Sequence, residues 1–135
     1  MADVSAFVRR LGSPYKDAKP GKTYAANPWD MQAFGGLVYI GGGNSANSGT
    51  DANAGVCPII VFNPVTNTFT TEGVSGSTID QNQVDRFRVL DFGSGDQIII
   101  PGHDPTGADA LSWYRLESGT WVKHTDATAD PLHVY

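Results

Sequence analysis

The residues best suited by type and spacing to do chemistry are His103 and Asp104, with Asp109 close behind. A histidine beside carboxylates is raw material for a metal site or for general acid–base work, provided the groups converge. The same run, His103-Asp104-Pro105-Thr106-Gly107, is also turn chemistry. Asp-Pro and Thr-Gly reverse the chain, and the Asp104 carboxylate can accept from local amides, so the turn reading is preferred. Asp51 and Asn53 offer oxygens to a calcium ion, but about five more would have to come from elsewhere. Trp29, Trp113 and Trp121 present flat faces on which a sugar could stack. Trp121 falls on a core position of the pattern described below, where packing is the preferred role. Trp29 stands where a basic leader meets the rest of the chain and can equally staple that leader down. Arg86 and Arg88 alternate with Phe87 and Val89, which puts both on the polar face of one strand, with Asp85 or Asp91 as surface partners. No nucleophile–base pair, metal set or cofactor motif emerges, so the chain is expected not to be an enzyme and to use no cofactor.

The elements that would position these groups are short. At 135 residues the chain has material for one ordinary domain. Apolar residues make up 40% and charged residues 17%, a globular balance, and 16 glycines with eight prolines punctuate it with turns. The apolar runs are too short to span a bilayer, and Met1–Gly12 has its arginines after its apolar residues, unlike a secretory signal. The single Cys57 excludes an internal disulfide and reads as a small core hydrophobe.

Met31–Phe34, Gly35-Gly36 and Leu37–Ile40 read as strand, two-residue turn and strand. Cys57–Phe62, Asn63–Asn67 and Thr68–Thr71 read as a second hairpin reversed by Asn-Pro and Asn-Thr. The pattern then restarts with Phe87–Phe92, a Gly-Ser-Gly-Asp turn, Gln97–Ile100, Ser112–Leu116, a Glu-Ser-Gly turn and Thr120–His124. Leu37–Gly42 overlays Gln97–Gly102, and Phe62 and Phe69 overlay Tyr114 and Trp121. A four-stranded antiparallel unit is therefore expected twice, with Phe62, Phe69, Tyr114 and Trp121 as its repeated, largely buried core. Gly41-Gly42-Gly43 are expected to end the second strand in a sharp turn where backbones approach closely. A phosphate-cradling loop would need Lys-Ser or Lys-Thr and a helix start next, which Asn44-Ser45-Ala46-Asn47 does not supply.

"VYIGGG" followed by "VFNPVTNTFTT" resembles a kelch repeat, with its strand ending in glycines, its aromatic-x-Pro turn and its following Thr and large aromatic. The second unit keeps "YRLESGTWVKH" but has Pro101-Gly102 where the diglycine would fall. The resemblance covers about residues 31–125 and implies an all-β fold of two kelch-like four-stranded antiparallel blades, a partial β-propeller. The chain also resembles propeller-like proteins of bacteria and their phages in its "GHDP" and "DRFRVLD" stretches. Cys57, His133 and Tyr135 are ligand types of kelch-like copper-radical oxidases, but their spacing matches no such motif. A sialidase-type Asp box is absent, since Ser48–Gly55 lacks the tryptophan and the register.

The expected organisation is an extended basic arm over 1–28, a first repeat over 29–78, a second over 79–129 and the start of a third over 130–135. Two repeats do not close a propeller of four or more blades, so a longer polypeptide or several copies are expected to complete it. The arm carries five basic and two acidic residues, whereas the remainder has a net charge of −8. That asymmetry suits docking to an acidic partner and disfavours nucleic acid, which the body would repel. Phe7, Arg9, Arg10, Leu11, Tyr15, Lys16, Lys19 and Lys22 are the candidate docking residues. The resulting expectation is a structural or binding module, the attachment-side N-terminal part of a phage tail fibre, spike or other virion appendage. Its partners would be tail or baseplate proteins in a homo-oligomer or multi-protein assembly, without membrane insertion. The alternative is a bacterial glycan-binding or glycan-processing propeller, secreted or cytoplasmic.

Overall fold

The computed structural model describes residues 10–18, 27–43, 58–73, 84–91, 93–101 and 112–124. It is an all-β arrangement of two four-stranded antiparallel sheets, each in simple sequential order. The first sheet holds β1 (Asn27–Phe34), β2 (Leu37–Gly43), β3 (Ile59–Asn63) and β4 (Thr68–Glu72). The second holds β5 (Arg88–Asp91), β6 (Asp96–Pro101), β7 (Ser112–Arg115) and β8 (Trp121–His124). Among the described residues the two sheets do not close into a ring.

Each hairpin follows from its turn residues. Gly35 and Gly36 have φ of 58° and 78°, the doubly left-handed turn whose twist matches the strands it joins. Between β3 and β4 the Asn63 carboxamide oxygen accepts from the amides of Val65 (2.9 Å) and Thr66 (3.2 Å), and Asn67 takes φ 56°. Between β5 and β6 the Asp91 carboxylate accepts from the amides of Gly93 (2.7 Å) and Gly95 (3.0 Å). Asp91 thus ties its own turn, where sequence reasoning had it as an arginine partner.

Alternation assigns every strand residue to one of two faces. The inner face of the first sheet carries Phe34, Leu37, Tyr39, Ile59 and Val61. It packs on a face of the second sheet formed by Ile98, Ile100, Trp113 and Trp121, with Val84 and Phe87 completing the cluster. Tyr39 stands at the centre, edge-on to Phe87 (centroids 6.3 Å apart) and to Trp121 (6.4 Å). The opposite face of the first sheet, with Val38, Ile40, Ile60, Phe62 and Phe69, packs under a short helix α1, Pro14–Ala18. Pro14 suits a first helical position, where its missing N–H is not needed, and the Asp17 amide closes the turn onto the Ser13 carbonyl at 3.1 Å.

Four expectations change in detail. Gly41–Gly43 do not form a turn after β2: they are the buried end of β2, paired with Asp30, Pro28 and Asn27. Their smallness serves the close approach of the segment entering β5. A Cβ at Gly41 would overlap the Val84 carbonyl oxygen and stand 2.9 Å from Val84 Cγ1 and 3.1 Å from Phe87 Cε2. The first sheet begins at Asn27, inside the span expected of the arm, because β1 is as long as the glycine-extended β2 it must pair with. The arm itself carries the one-turn α1. Finally, of the four repeat aromatics only Trp121 is fully buried. Phe62, Phe69 and Tyr114 are half-buried, since each faces outward from the inter-sheet core.

The register corrects the repeat alignment. Ile40 and Phe69 correspond to Ile100 and Trp121, as strand pairing requires. Phe62, however, pairs with Phe69, whereas Arg115 pairs with Trp121. Phe62 therefore corresponds to Arg115 and Val61 to Tyr114, because the paired Phe62 and Phe69 stand seven positions apart whereas the paired Arg115 and Trp121 stand six apart. An aromatic-to-aromatic overlay conceals that slip.

Candidate functional site

The densest polar constellation among the described residues lies between the sheets. Glu72, last in β4, is opposite Ile59 and so projects from the inner face of the first sheet. Arg115, last in β7, projects toward it from the second. The guanidinium grips the carboxylate with both prongs, Nε donating to Oε2 and Nη2 to Oε1, each at 2.9 Å. The Trp121 indole N–H donates to Oε2 at 2.8 Å. Three charge-assisted donors thus converge on one carboxylate. The side chains of Arg115 and Glu72 retain only 14% and 18% exposure.

The electrostatics follow from that geometry. The hydrogen bond to Glu72 raises the Arg115 pKa above its ordinary value, against the opposing effect of burial. Arg115 Cζ also lies 5.4 Å from the centre of the Tyr39 ring. Burial pushes the Tyr39 phenol upward, with Arg115 pulling it back and Glu72 adding to the rise. A guanidinium held this way is a permanent cation and a poor proton donor. The constellation acts as a clamp that joins two sheets.

A second junction ties the chain entering β5 to the first sheet. The Asp30 carboxylate accepts from the Phe87 amide at 2.7 Å, and the Val84 amide donates to the Gly42 carbonyl at 2.7 Å. A third fixes the arm. The Tyr15 hydroxyl lies 2.8 Å from the Ile40 carbonyl and 2.9 Å from that of Pro58, its single proton shared between them. The β2–β3 ladder stops at Ile40–Ile60, and Pro58 has no N–H to continue it. The hydroxyl bridges the two carbonyls at that point. Beside it a cavity of about 330 Å³ opens between arm and sheet, lined by Gly12, Pro14, Tyr15, Met31, Ile40 and Phe69 among others.

The residues singled out by sequence are distributed as follows. Trp113 and Trp121 are in the core and cannot stack a sugar; Trp29 is 41% exposed. Arg86 is exposed, and Arg88 donates to the Phe87 carbonyl at 2.9 Å. On the arm, Arg10, Leu11 and Lys16 are exposed, whereas Tyr15 is turned onto the chain's own sheet. His103, Asp104, Asp109, Asp51, Asn53, Cys57, His133, Tyr135, Phe7, Arg9, Lys19 and Lys22 lie outside the described residues, as does the expected third repeat at 130–135. Among the described residues no group of three His, Cys, Asp or Glu side chains comes together as a metal site. No helix among them is long and apolar enough to cross a membrane.

Sequence reasoning did not find Glu72 or the role of Tyr15. Glu72 had a usable signal, being the one acidic residue in an otherwise Thr-rich strand. Its partner could not be read, because pairing across sheets depends on the stacking. Comparison with known proteins finds no matching family model, no matching curated protein and no matching solved structure.

Proposed function

We propose that this chain is a structural and binding module: the attachment-side N-terminal part of a phage tail fibre, spike or other virion appendage, with kelch-like blades following a docking arm. The observation that carries this reading is the use made of its charged and aromatic side chains. Glu72, Arg115, Trp121 and Tyr39 lock one sheet to the next, and Asp30 and Asp91 hold backbone amides. Such a distribution among the described residues suits a scaffold that transmits load between stacked sheets, with its polar groups holding structure. The virion assignment draws on the resemblance to phage propeller-like proteins and on the charge contrast between arm and body. Exposed Arg10, Leu11 and Lys16 supply the side of the arm available to a tail or baseplate protein. Fold by itself does not assign function.

The exposed Trp29 favours one second reading, a glycan-binding propeller whose stacking platform sits on β1. Immunogold electron microscopy on particles purified from the strain that encodes the chain separates the two. Label on tail appendages supports the virion reading. Particles that carry none of the chain, together with glycan binding that Trp29→Ala abolishes, would replace it with the second.

A further inference from the structure

The two sheets are related by a stacking rule. Equivalent positions divide them into a leading face (Val38, Ile40, Ile60, Phe62 and Phe69 in the first sheet; Ile98, Ile100, Trp113, Arg115 and Trp121 in the second) and a trailing face. The inter-sheet core is the trailing face of the first sheet against the leading face of the second. This contact is head-to-tail, and it leaves one face of each kind without a sheet partner among the described residues.

The unmatched trailing face, on the second sheet, carries Leu90, Ile99, Tyr114 and Val122, at the positions where the first sheet has Phe34, Tyr39, Val61 and Thr70. Leu90 is 43% exposed and the other three are half-buried. The unmatched leading face, on the first sheet, is covered by α1 through Tyr15 and Ala18. That cover is partial. Met31 on the same face remains 65% exposed, and the 330 Å³ cavity lies between cover and sheet. Phe62 replaces Arg115 at the clamp position, so this leading face is more apolar than its counterpart, with Phe62 and Phe69 rings 4.9 Å apart.

We infer that the occupant of the open trailing face is a second copy of this chain, presenting the leading face of its first sheet in the arrangement the two sheets of one chain already use, and that α1 is the cap that must lift for this to happen. Continuity with the internal interface identifies the partner: the surface that fits a trailing face is a leading face. Such a contact is heterologous, so it propagates into a filament or closes into a ring according to the rotation per sheet. A cap on the leading face limits that growth, as terminal caps do in stacked-repeat proteins. The inference holds whether or not the chain belongs to a virion.

Sedimentation velocity on the full chain tests it. Tyr15→Ala, which removes the anchor of α1, is expected to strengthen self-association at least tenfold over the unaltered chain, and adding Leu90→Lys is expected to abolish the gain. A second experiment is made in the Tyr15→Ala background, where the anchor of α1 is gone from every chain. Met31→Lys and Leu90→Lys change exposed side chains on opposite faces, and each alone is expected to be monomeric. Their mixture retains one good leading and one good trailing face and is expected to form dimers and nothing larger. A folded Tyr15→Ala chain that stays monomeric would overturn the inference, as would association indifferent to Leu90→Lys. If Tyr15→Ala does not fold, Tyr15→Phe, which keeps the ring but removes both hydrogen bonds of the anchor, takes its place, and a folded Tyr15→Phe chain still monomeric at about 1 mM would do the same.

Discussion

Replacing Glu72 by alanine is the most informative perturbation of the body, because one carboxylate holds two residues of the other sheet. The change removes three hydrogen bonds of 2.8–2.9 Å and leaves Arg115, only 14% exposed, without its counter-charge between the sheets. Hydrogen bonds to charged groups contribute roughly 1.5–3 kcal/mol each but overlap strongly when they share an acceptor, and stripping one partner from a fully buried pair costs about 3–5 kcal/mol. The residual exposure lets water reach the guanidinium, so a loss of about 2–3 kcal/mol is expected. For a chain of this size that corresponds to a fall in Tm of roughly 8–12 °C. Urea unfolding followed by tryptophan fluorescence reads it directly, since Trp113 and Trp121 both sit in the inter-sheet core. The midpoint should fall with the slope unchanged, as one cooperative unit loses stability. Pairing Glu72→Ala with Arg115→Met in a double-mutant cycle should recover about 1.5 kcal/mol or more of coupling. A Glu72→Ala chain within about 0.5 kcal/mol of the original, the range of an inert surface change, would refute the clamp and leave the sheets held by apolar packing alone.

Other consequences follow from single contacts. Gly41→Ala forces the Val84 backbone to move and should destabilise by about 1–3 kcal/mol as overpacking does, measured by the same urea titration. Tyr15→Phe keeps the ring but removes both hydrogen bonds of the hydroxyl, and should cost about 1–2 kcal/mol while raising the amide exchange of residues 14–18. The folded state holds the Tyr39 proton more tightly than the unfolded chain, whose phenol titrates near 10.0. Its stabilisation is therefore complete below that pH and is lost as pH rises through the elevated folded value. Arg115 acts with the same sign at still higher pH. Thermal melts at about pH 9 and 11 should show a steeper alkaline loss for the original chain than for Tyr39→Phe; equal losses would remove Tyr39 as the cause.

Much of this architecture was legible in the residues, and the reasons differ by level. Strand alternation and turn chemistry are local, so Gly35-Gly36, Asn63–Asn67 and the glycines before β6 marked three hairpin reversals correctly. The repeat was legible because the same strand order is written twice. What failed was what depends on contacts between distant segments. Gly41–Gly43 read as a sharp turn at a close approach of backbones; the close approach is there, against Val84 and Phe87, but the turn is not, since all three glycines are paired within β2. Phe62 and Tyr114 read as equivalent because both are aromatic, while the ladder assigns Arg115 to Phe62's place. Tyr15 read as a docking residue because its acceptors, the carbonyls of Ile40 and Pro58, are main-chain atoms that leave no mark in side-chain identity. Glu72 and Arg115, separated by 43 positions, become partners only once one sheet lies on the other.

The central claim is that the two four-stranded sheets stack face to face around Tyr39, so that sheet, clamp and core form one unit. Nuclear Overhauser contacts from the Tyr39 ring measure this most directly. Its ring centroid lies 6.3 Å from that of Phe87 and 6.4 Å from that of Trp121. Ring-proton cross-peaks from Tyr39 to both partners, together with an indole N–H resonance of Trp121 that moves in Glu72→Gln, are the expected result. Intact cross-strand contacts within each sheet, without any cross-peak from Tyr39 to Phe87 or Trp121, would contradict it.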